Sequence, residues 1–230
     1  MNILALETST ALLSVALRCD GKVLVRSERL ANGGSDRLLP WVRALLDEAG
    51  LSLNQLDGIA FGSGPGGFTG IRLSCGVAQG LAFGADLPVI GVCGLEAMAV
   101  DVGVERVYVC LDARMNEVYT AAYEVRDGVP VAVLAPAVTP PDQAPLPPDG
   151  LWLCAGDGFT SYTDALNQRL AGRIERINAD SLPTAAAVAR LAEARFARGE
   201  GRSAAEAQPL YVREKVALTT AERLARGGVR

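Results

Sequence analysis

The chain has 230 residues, half of them hydrophobic, with a formal net charge of -4 and a pI near 5.0. It is long enough for one large domain or two lobes with real cores. Because acidic residues outnumber basic ones, we do not expect the chain to bind nucleic acid mainly through clustered lysine and arginine side chains of its own. The sequence contains no histidine, which excludes Ser-His-Asp and Cys-His catalysis and HExxH metal sites. The five scattered cysteines offer no zinc spacing and are expected to be buried free thiols in a reducing compartment. We find no signal segment and no apolar run of membrane-spanning length, so we expect a cytoplasmic protein without membrane contacts.

The first hundred residues are predicted to alternate strands and helices. Residues 2–7, 12–18 and 22–29 are typical of three consecutive strands, the last two joined by a hairpin turn. Apolar positions at helical spacing predict a helix over 35–49, capped by Ser35 or Asp36 and ending before Gly50. A strand at 57–62, a helix at about 69–84, a strand at 88–92 and a helical segment at 94–102 follow.

Five glycines between Gly62 and Arg72 join the fourth predicted strand to the second helix. Phe68 stands where a Walker loop needs its lysine, and Pro65 interrupts the turn of a dinucleotide fingerprint. A P-loop NTPase and a Rossmann domain are therefore both disfavoured. Two interpretations remain: a loop whose backbone amides face an anion, or a tight strand-to-helix turn without a ligand.

The second half of the chain repeats the opening pattern. Residues 107–112 form an apolar segment that ends in an acid, followed by a turn and a returning strand at 117–124, much as residues 3–17 do. This repetition suggests a duplicated, two-lobed architecture. The proline-rich stretch 135–150 is predicted to be a loop with little regular structure. A strand at 151–155, a turn at 156–158 and a helix at 184–198 complete the prediction.

Several segments resemble the bacterial TsaB family in order and spacing: Ile3–Ser9, Arg37–Pro40, Gly62–Arg72, Ala78–Leu81, Leu111–Arg114 with Glu117–Tyr119, and Pro209–Val212. The resemblance spans nearly the whole chain. It implies an α/β fold of the actin/Hsp70-like (ASKHA) type, with two lobes and duplicated mixed sheets. The lobes would be residues 1–103 and 104–230, with the C-terminal segment packing back on the first lobe. The chain departs from the family at Gly34-Ser35-Asp36, where many members have a histidine.

The resemblance also implies a role in synthesis of threonylcarbamoyladenosine in tRNA. The chain would be a non-catalytic scaffold, a pseudoenzyme that binds and activates the metal-bearing paralogue TsaD together with the ATPase TsaE. It would bind no metal and no cofactor alone, with ATP or ADP held at the level of the complex, and in isolation it would be a homodimer or a monomer. It would meet tRNA through the complex, with Arg223, Arg226 and Arg230 either contacting tRNA or forming a solvated tail.

The resemblance further implies a partner surface on the first-lobe helices, here about 35–49 and 69–84. Gly76, Gly80 and Gly84 recur every four residues, so one face of the second helix is thin and another element can approach closely. That element is the protein's own sheet, TsaD, or a second copy of the chain. The interface candidates are Leu38, Trp41, Val42, Leu45, Ile71, Leu73, Gly76, Val77 and Gly80. Trp41 is either the best single anchor for a partner or a partly buried core tryptophan.

An alternative function is that of an actin-like small-molecule kinase or ATPase. The residues that would form its nucleotide site are Glu7, Thr8, Ser9, Gly64, Gly66, Gly67, Asp112 and Arg114. The structural interpretation of the same residues is a turn braced by an Asp112–Arg114 ion pair, with Glu7 as a hydrogen-bonded strand end. A self-assembling structural protein is a third hypothesis.

Overall fold

The computed structural model describes residues 1–30 and 34–213. The first half of the chain forms a five-stranded mixed sheet in the order β3-β2-β1-β4-β5. Its strands are β1 (Ile3–Glu7), β2 (Leu12–Cys19), β3 (Lys22–Arg29), β4 (Gly58–Gly64) and β5 (Val89–Cys93). The first three form an antiparallel meander, and β4 and β5 extend it in parallel with β1. The helices of this half are α1 (Ser35–Ala49), α2 (Phe68–Ala85) and α3 (Gly94–Asp101).

The second half forms another five-stranded mixed sheet, in the order β10-β9-β6-β7-β8. Its strands are β6 (Arg106–Arg114), β7 (Glu117–Arg126), β8 (Val129–Thr139), β9 (Trp152–Ala155) and β10 (Ile174–Asn178), and its helices are α4 (Gly158–Ser161), α5 (Thr163–Arg169) and α6 (Ala185–Ala197). Each strand occupies the place held by the strand five earlier in the first sheet. The predicted duplicated, actin/Hsp70-like fold is therefore confirmed.

The layers alternate helices and sheets, because successive strand residues point to opposite faces. In the first sheet, Leu4 and Leu6 pack under α1 and α2, whereas Ile3 and Ala5 pack under α6. Helix α3 lies between the two sheets, and α4 and α5 cover the far face of the second.

Helix α6 belongs to the second half of the sequence but lies against the first sheet. Its first residue, Ala185, donates its backbone N–H to Ser14 Oγ at 3.2 Å. Further on, Arg202 pairs with Val89 of β5, and the backbone N–H of Leu210 donates to the Ser63 carbonyl at 2.7 Å. The division between residues 103 and 104 stays a prediction. Arg223, Arg226 and Arg230 lie outside the described residues.

The structure corrects several predicted boundaries. Residues 135–139 are not loop: β8 continues through Pro136 to Thr139. Strand β8 lies at the edge of its sheet, and its pairing with β7 is irregular near Pro136. Edge strands and irregular pairings tolerate proline, because its missing N–H is not needed there for a hydrogen bond. Helix α5 and strand β10 were not predicted. Gly34, rather than Ser35 or Asp36, is the N-cap of α1. None of the helices within 1–30 and 34–213 has both the length and the apolar character needed to cross a membrane.

Candidate functional site

Helix α2 presents a thin, exposed face. Gly76, Gly80 and Gly84 are exposed, and a Cβ added at any of them would meet no atom of the described chain within 4 Å. The opposite face of α2, including Cys75 and Ala78, packs on the first sheet. The glycines therefore do not serve packing on the protein's own sheet, which was one of the three elements considered for this face.

One large apolar side chain lies beside this thin face, and another is exposed on helix α1. Phe83 is 78% exposed and lies three residues beyond Gly80, on the same side of α2. Leu39 of α1 is 51% exposed. Sequence reasoning missed both residues, although the spacing of Phe83 from the glycines was a usable signal. The predicted Leu73 and Val77 are half-buried at the margin of the first core.

Four predicted interface residues belong to the first lobe's interior instead. Leu38, Val42, Leu45 and Ile71 are each at most 4% exposed. The three from α1 fill the core between the helices and the first sheet, so they support the helices from within and present no surface.

Trp41 is half-buried and lies on the side of α1 that faces β3. Arg37, four residues before Trp41, pairs with Glu28 of β3. Glu48, seven residues after Trp41 and on the same side of the helix, pairs with Arg26 of β3. This side of α1 differs from the side of Leu39. Leu39 is therefore exposed on a side of α1 that is not occupied by contacts with β3.

The glycine loop packs tightly on the turn between β1 and β2. A Cβ at Gly66 or Gly70 would overlap the carbonyl oxygens of Ser9 and Thr8 respectively. The Gly67 backbone N–H donates to the Ser9 carbonyl at 2.7 Å, and Thr8 Oγ1 donates to the Gly70 carbonyl at 2.6 Å. Close packing thus accounts for these glycines and supports the interpretation of a tight structural turn.

Glu7 is fully buried at the end of β1, directly beneath this loop. Its Oε1 accepts the Ser9 backbone N–H at 2.7 Å, and its Oε2 lies against Gly62 without a hydrogen-bond partner in the described structure. Burial raises the pKa of Glu7, and hydrogen bonds from Ser9 and Thr8 oppose this only partly. The side chain is a buried strand end, as its structural interpretation predicted.

A cleft of about 540 Å³ opens between the two lobes. Six of the eight residues of the predicted nucleotide site line it: Thr8, Ser9, Gly66 and Gly67 from the first lobe, and Asp112 and Arg114 from the second. Glu7 and Gly64 do not line it. Asp157, which sequence reasoning had assigned only to a turn, lines the cleft beside Asp112.

The hydrogen-bonding capacity of Asp112 is largely used within the protein. Its carboxylate accepts the Arg114 backbone N–H at 2.8 Å and Arg114 Nη1 at 3.0 Å, and also the hydroxyl groups of Tyr162 and Ser161. The Asp112 backbone N–H donates to Asp157 Oδ1 at 2.9 Å. Burial is the main cause of a raised pKa at Asp157, with the charge of Asp112 adding to it. No group of three or more potential metal ligands occurs in the described part of the chain.

The chain is similar to known proteins over most of its length. The family model described as TsaD, tRNA N6-adenosine threonylcarbamoyltransferase, matches residues 28–150. The Escherichia coli K12 protein named tRNA threonylcarbamoyladenosine biosynthesis protein TsaB is 38% identical, covering 94% of this chain and 96% of its own. The Haemophilus influenzae protein of the same name is 37% identical, covering 94% and 95%.

Two solved structures from Pseudomonas aeruginosa extend the similarity to three dimensions. One, described as similar to the peptidase YeaZ, is 42% identical with a TM-score of 0.86, covering 92% of this chain and 99% of its own. The other, YeaZ, is 42% identical with a TM-score of 0.84, covering 91% and 99%. Because the relatives named TsaB match over most of both chains and the same fold occurs in these structures, the chain belongs to the TsaB family.

Proposed function

We propose that the chain acts in biosynthesis of threonylcarbamoyladenosine in tRNA, as a scaffold subunit that binds and activates TsaD together with TsaE. The observation that carries this proposal is the exposed glycine face of α2 with Phe83 beside it. Relatives that match nearly end to end are named for this pathway. The absence of histidine and the internal bonding of Asp112 favour a non-catalytic subunit.

The composition of α2 fits a helix that packs against a partner. Each glycine within a helix costs about 1 kcal/mol relative to alanine. The open space around Gly76 and Gly80 means that no packing within the described chain offsets this cost. A partner helix would offset it by approaching α2 closely and covering Phe83. A second copy would occupy the same face in a homodimer until TsaD replaces it, and ATP or ADP would be held at the complex level.

Reconstitution of tRNA threonylcarbamoylation tests the proposal. The assay contains TsaD, TsaE, ATP, tRNA and a supply of threonylcarbamoyl-adenylate, with and without this chain. We expect product that depends on the chain and that Phe83→Asp fails to restore. Val131→Asp is the matched control, because Val131 is an exposed apolar residue on β8, in the second sheet. Equal product with and without the chain would contradict the scaffold role.

An actin-like kinase or ATPase is the second candidate, favoured by the hydroxyl and carboxylate groups that line the interlobe cleft. It predicts magnesium-dependent ATP turnover by the purified chain and loss of that turnover in Asp112→Ala. Turnover no greater than background would eliminate it. Protease activity, suggested by the description of one structural relative, has no histidine-based mechanism available in this sequence.

A further inference from the structure

Arg72 is the only charged residue in the 18 residues of α2. It is exposed, and it lies four residues before Gly76, on the side of the helix that carries the glycine face. A partner laid along Gly76 and Gly80 would therefore meet one cation, near the start of the helix. The rest of that contact would be thin and apolar.

The guanidinium of Arg72 is held in a defined position. Its central carbon lies 3.5 Å from the centre of the Phe68 ring, and its Nε donates to Tyr211 Oη at 2.9 Å. No carboxylate in residues 1–30 or 34–213 forms an ion pair with it, unlike Arg195, which pairs with Glu96. The two aromatic residues thus fix the side chain, and no ion pair within this part of the chain uses its charge.

Tyr211 is itself fixed, because the segment that carries it is attached to both lobes. The preceding residue, Leu210, is hydrogen-bonded to Ser63 at the end of β4. Two residues further on, Arg213 pairs with Glu117 of β7 and donates to the Ala113 carbonyl at 3.1 Å. The backbone on both sides of Tyr211 is therefore held by contacts that do not involve Arg72.

We infer that Arg72 is a preoriented anchor for a carboxylate on the partner that covers the glycine face, with Tyr211 as its positioning residue. The inference rests on the proposed function, which supplies TsaD as the partner. Tyr211 engages Nε, so the Nη1 and Nη2 edge stays available for a bidentate bond, a geometry that carboxylates match. Holding the side chain in place beforehand removes much of the entropy cost of ordering it on binding.

The test measures the affinity of TsaD for variants of this chain by calorimetry at two salt concentrations. We expect Arg72→Ala to weaken binding at least about 30-fold, as for a hot-spot residue, and to reduce the dependence of affinity on salt. Arg72→Lys keeps the charge but loses the forked geometry, so it should weaken binding about tenfold. Arg126→Ala is the control, because Arg126 is exposed on β7 and pairs with Glu124 of its own strand.

Tyr211→Phe keeps the ring and removes the hydrogen bond to Arg72. It should weaken binding about fivefold in the wild-type background and leave affinity unchanged in the Arg72→Ala background. The same loss in both backgrounds would overturn the positioning role. If the wild-type chain binds TsaD and Arg72→Ala binds it with an affinity within twofold of the wild type, the anchor role of Arg72 is overturned and the proposed function stands. Failure of the wild-type chain to bind TsaD would overturn both.

Discussion

Replacing the exposed glycines of α2 should stabilise the isolated chain and weaken its partner binding. In the double variant Gly76→Ala/Gly80→Ala, each new methyl group enters space where no described atom lies within 4 Å. The helix then gains the propensity difference between alanine and glycine, about 0.8–1.0 kcal/mol per site. We expect the free energy of unfolding to rise by about 2 kcal/mol, and Tm by about 4–8 °C for a chain of this size.

The same two methyl groups should obstruct a closely packed partner. Overpacking of a close contact costs about 1–3 kcal/mol, so TsaD affinity should fall about tenfold. Urea unfolding followed by circular dichroism measures stability, at a protein concentration where a mass measurement shows a monomer. Calorimetry with TsaD measures binding.

Two results would refute this reasoning. A double variant no more stable than the wild-type monomer would mean that the glycine face is covered within the chain or held in strain. A stabilised variant that binds TsaD with unchanged affinity would mean that the partner lies elsewhere.

Three further predictions concern the interior and one turn. Gly70 lies in the same helix, but the methyl group of Gly70→Ala would overlap the Thr8 carbonyl oxygen. The free energy of unfolding, measured in urea, should therefore fall by about 3 kcal/mol. A rise would contradict the explanation of the glycine loop by close packing. Because burial raises the pKa of Glu7, the contribution of Glu7 to stability should be fully present below the ordinary pKa of 4.5 and should decline as pH rises through the higher folded-state pKa. Glu7→Gln should flatten this decline in urea unfolding at a series of pH values, and an unchanged slope would count against a raised pKa. Met115 and Asn116 form a two-residue hairpin turn with φ of 57° and 58°. Because glycine adopts positive φ without strain, Met115→Gly should raise the free energy of unfolding by about 0.5–1 kcal/mol. A decrease in calorimetric unfolding would argue against backbone strain at this turn.

The sequence was sufficient to predict most elements of the first lobe, because its strands and helices have clear hydrophobic periods bounded by glycine. It was insufficient for β8, because Pro136 gives a loop signal and only the position of β8 at a sheet edge makes the residue tolerable. Strand β10 is mostly exposed, so it lacks the apolar pattern of a buried strand.

The surface residues were harder to predict than the elements that carry them. An apolar stripe such as Leu38, Val42 and Leu45 has the same spacing whether it faces a core or a partner, and the structure places it in the core. Asp157 gave no usable signal either, because it reaches Asp112 only through the pairing of β6 with β9, far apart in sequence. The exposure of Phe83 depends on which face of α2 meets the sheet.

The most direct test of the scaffold account is the affinity of TsaD for Phe83→Asp, Leu39→Asp and Val131→Asp, measured in parallel. All three residues are exposed, at 78%, 51% and 54%, so their substitution should leave folding intact. An unpaired charge buried in the interface should weaken binding about 30-fold for Phe83→Asp and substantially for Leu39→Asp. The account predicts near wild-type affinity for Val131→Asp. Equal affinity of all three variants and the wild type would contradict a partner surface on α1 and α2.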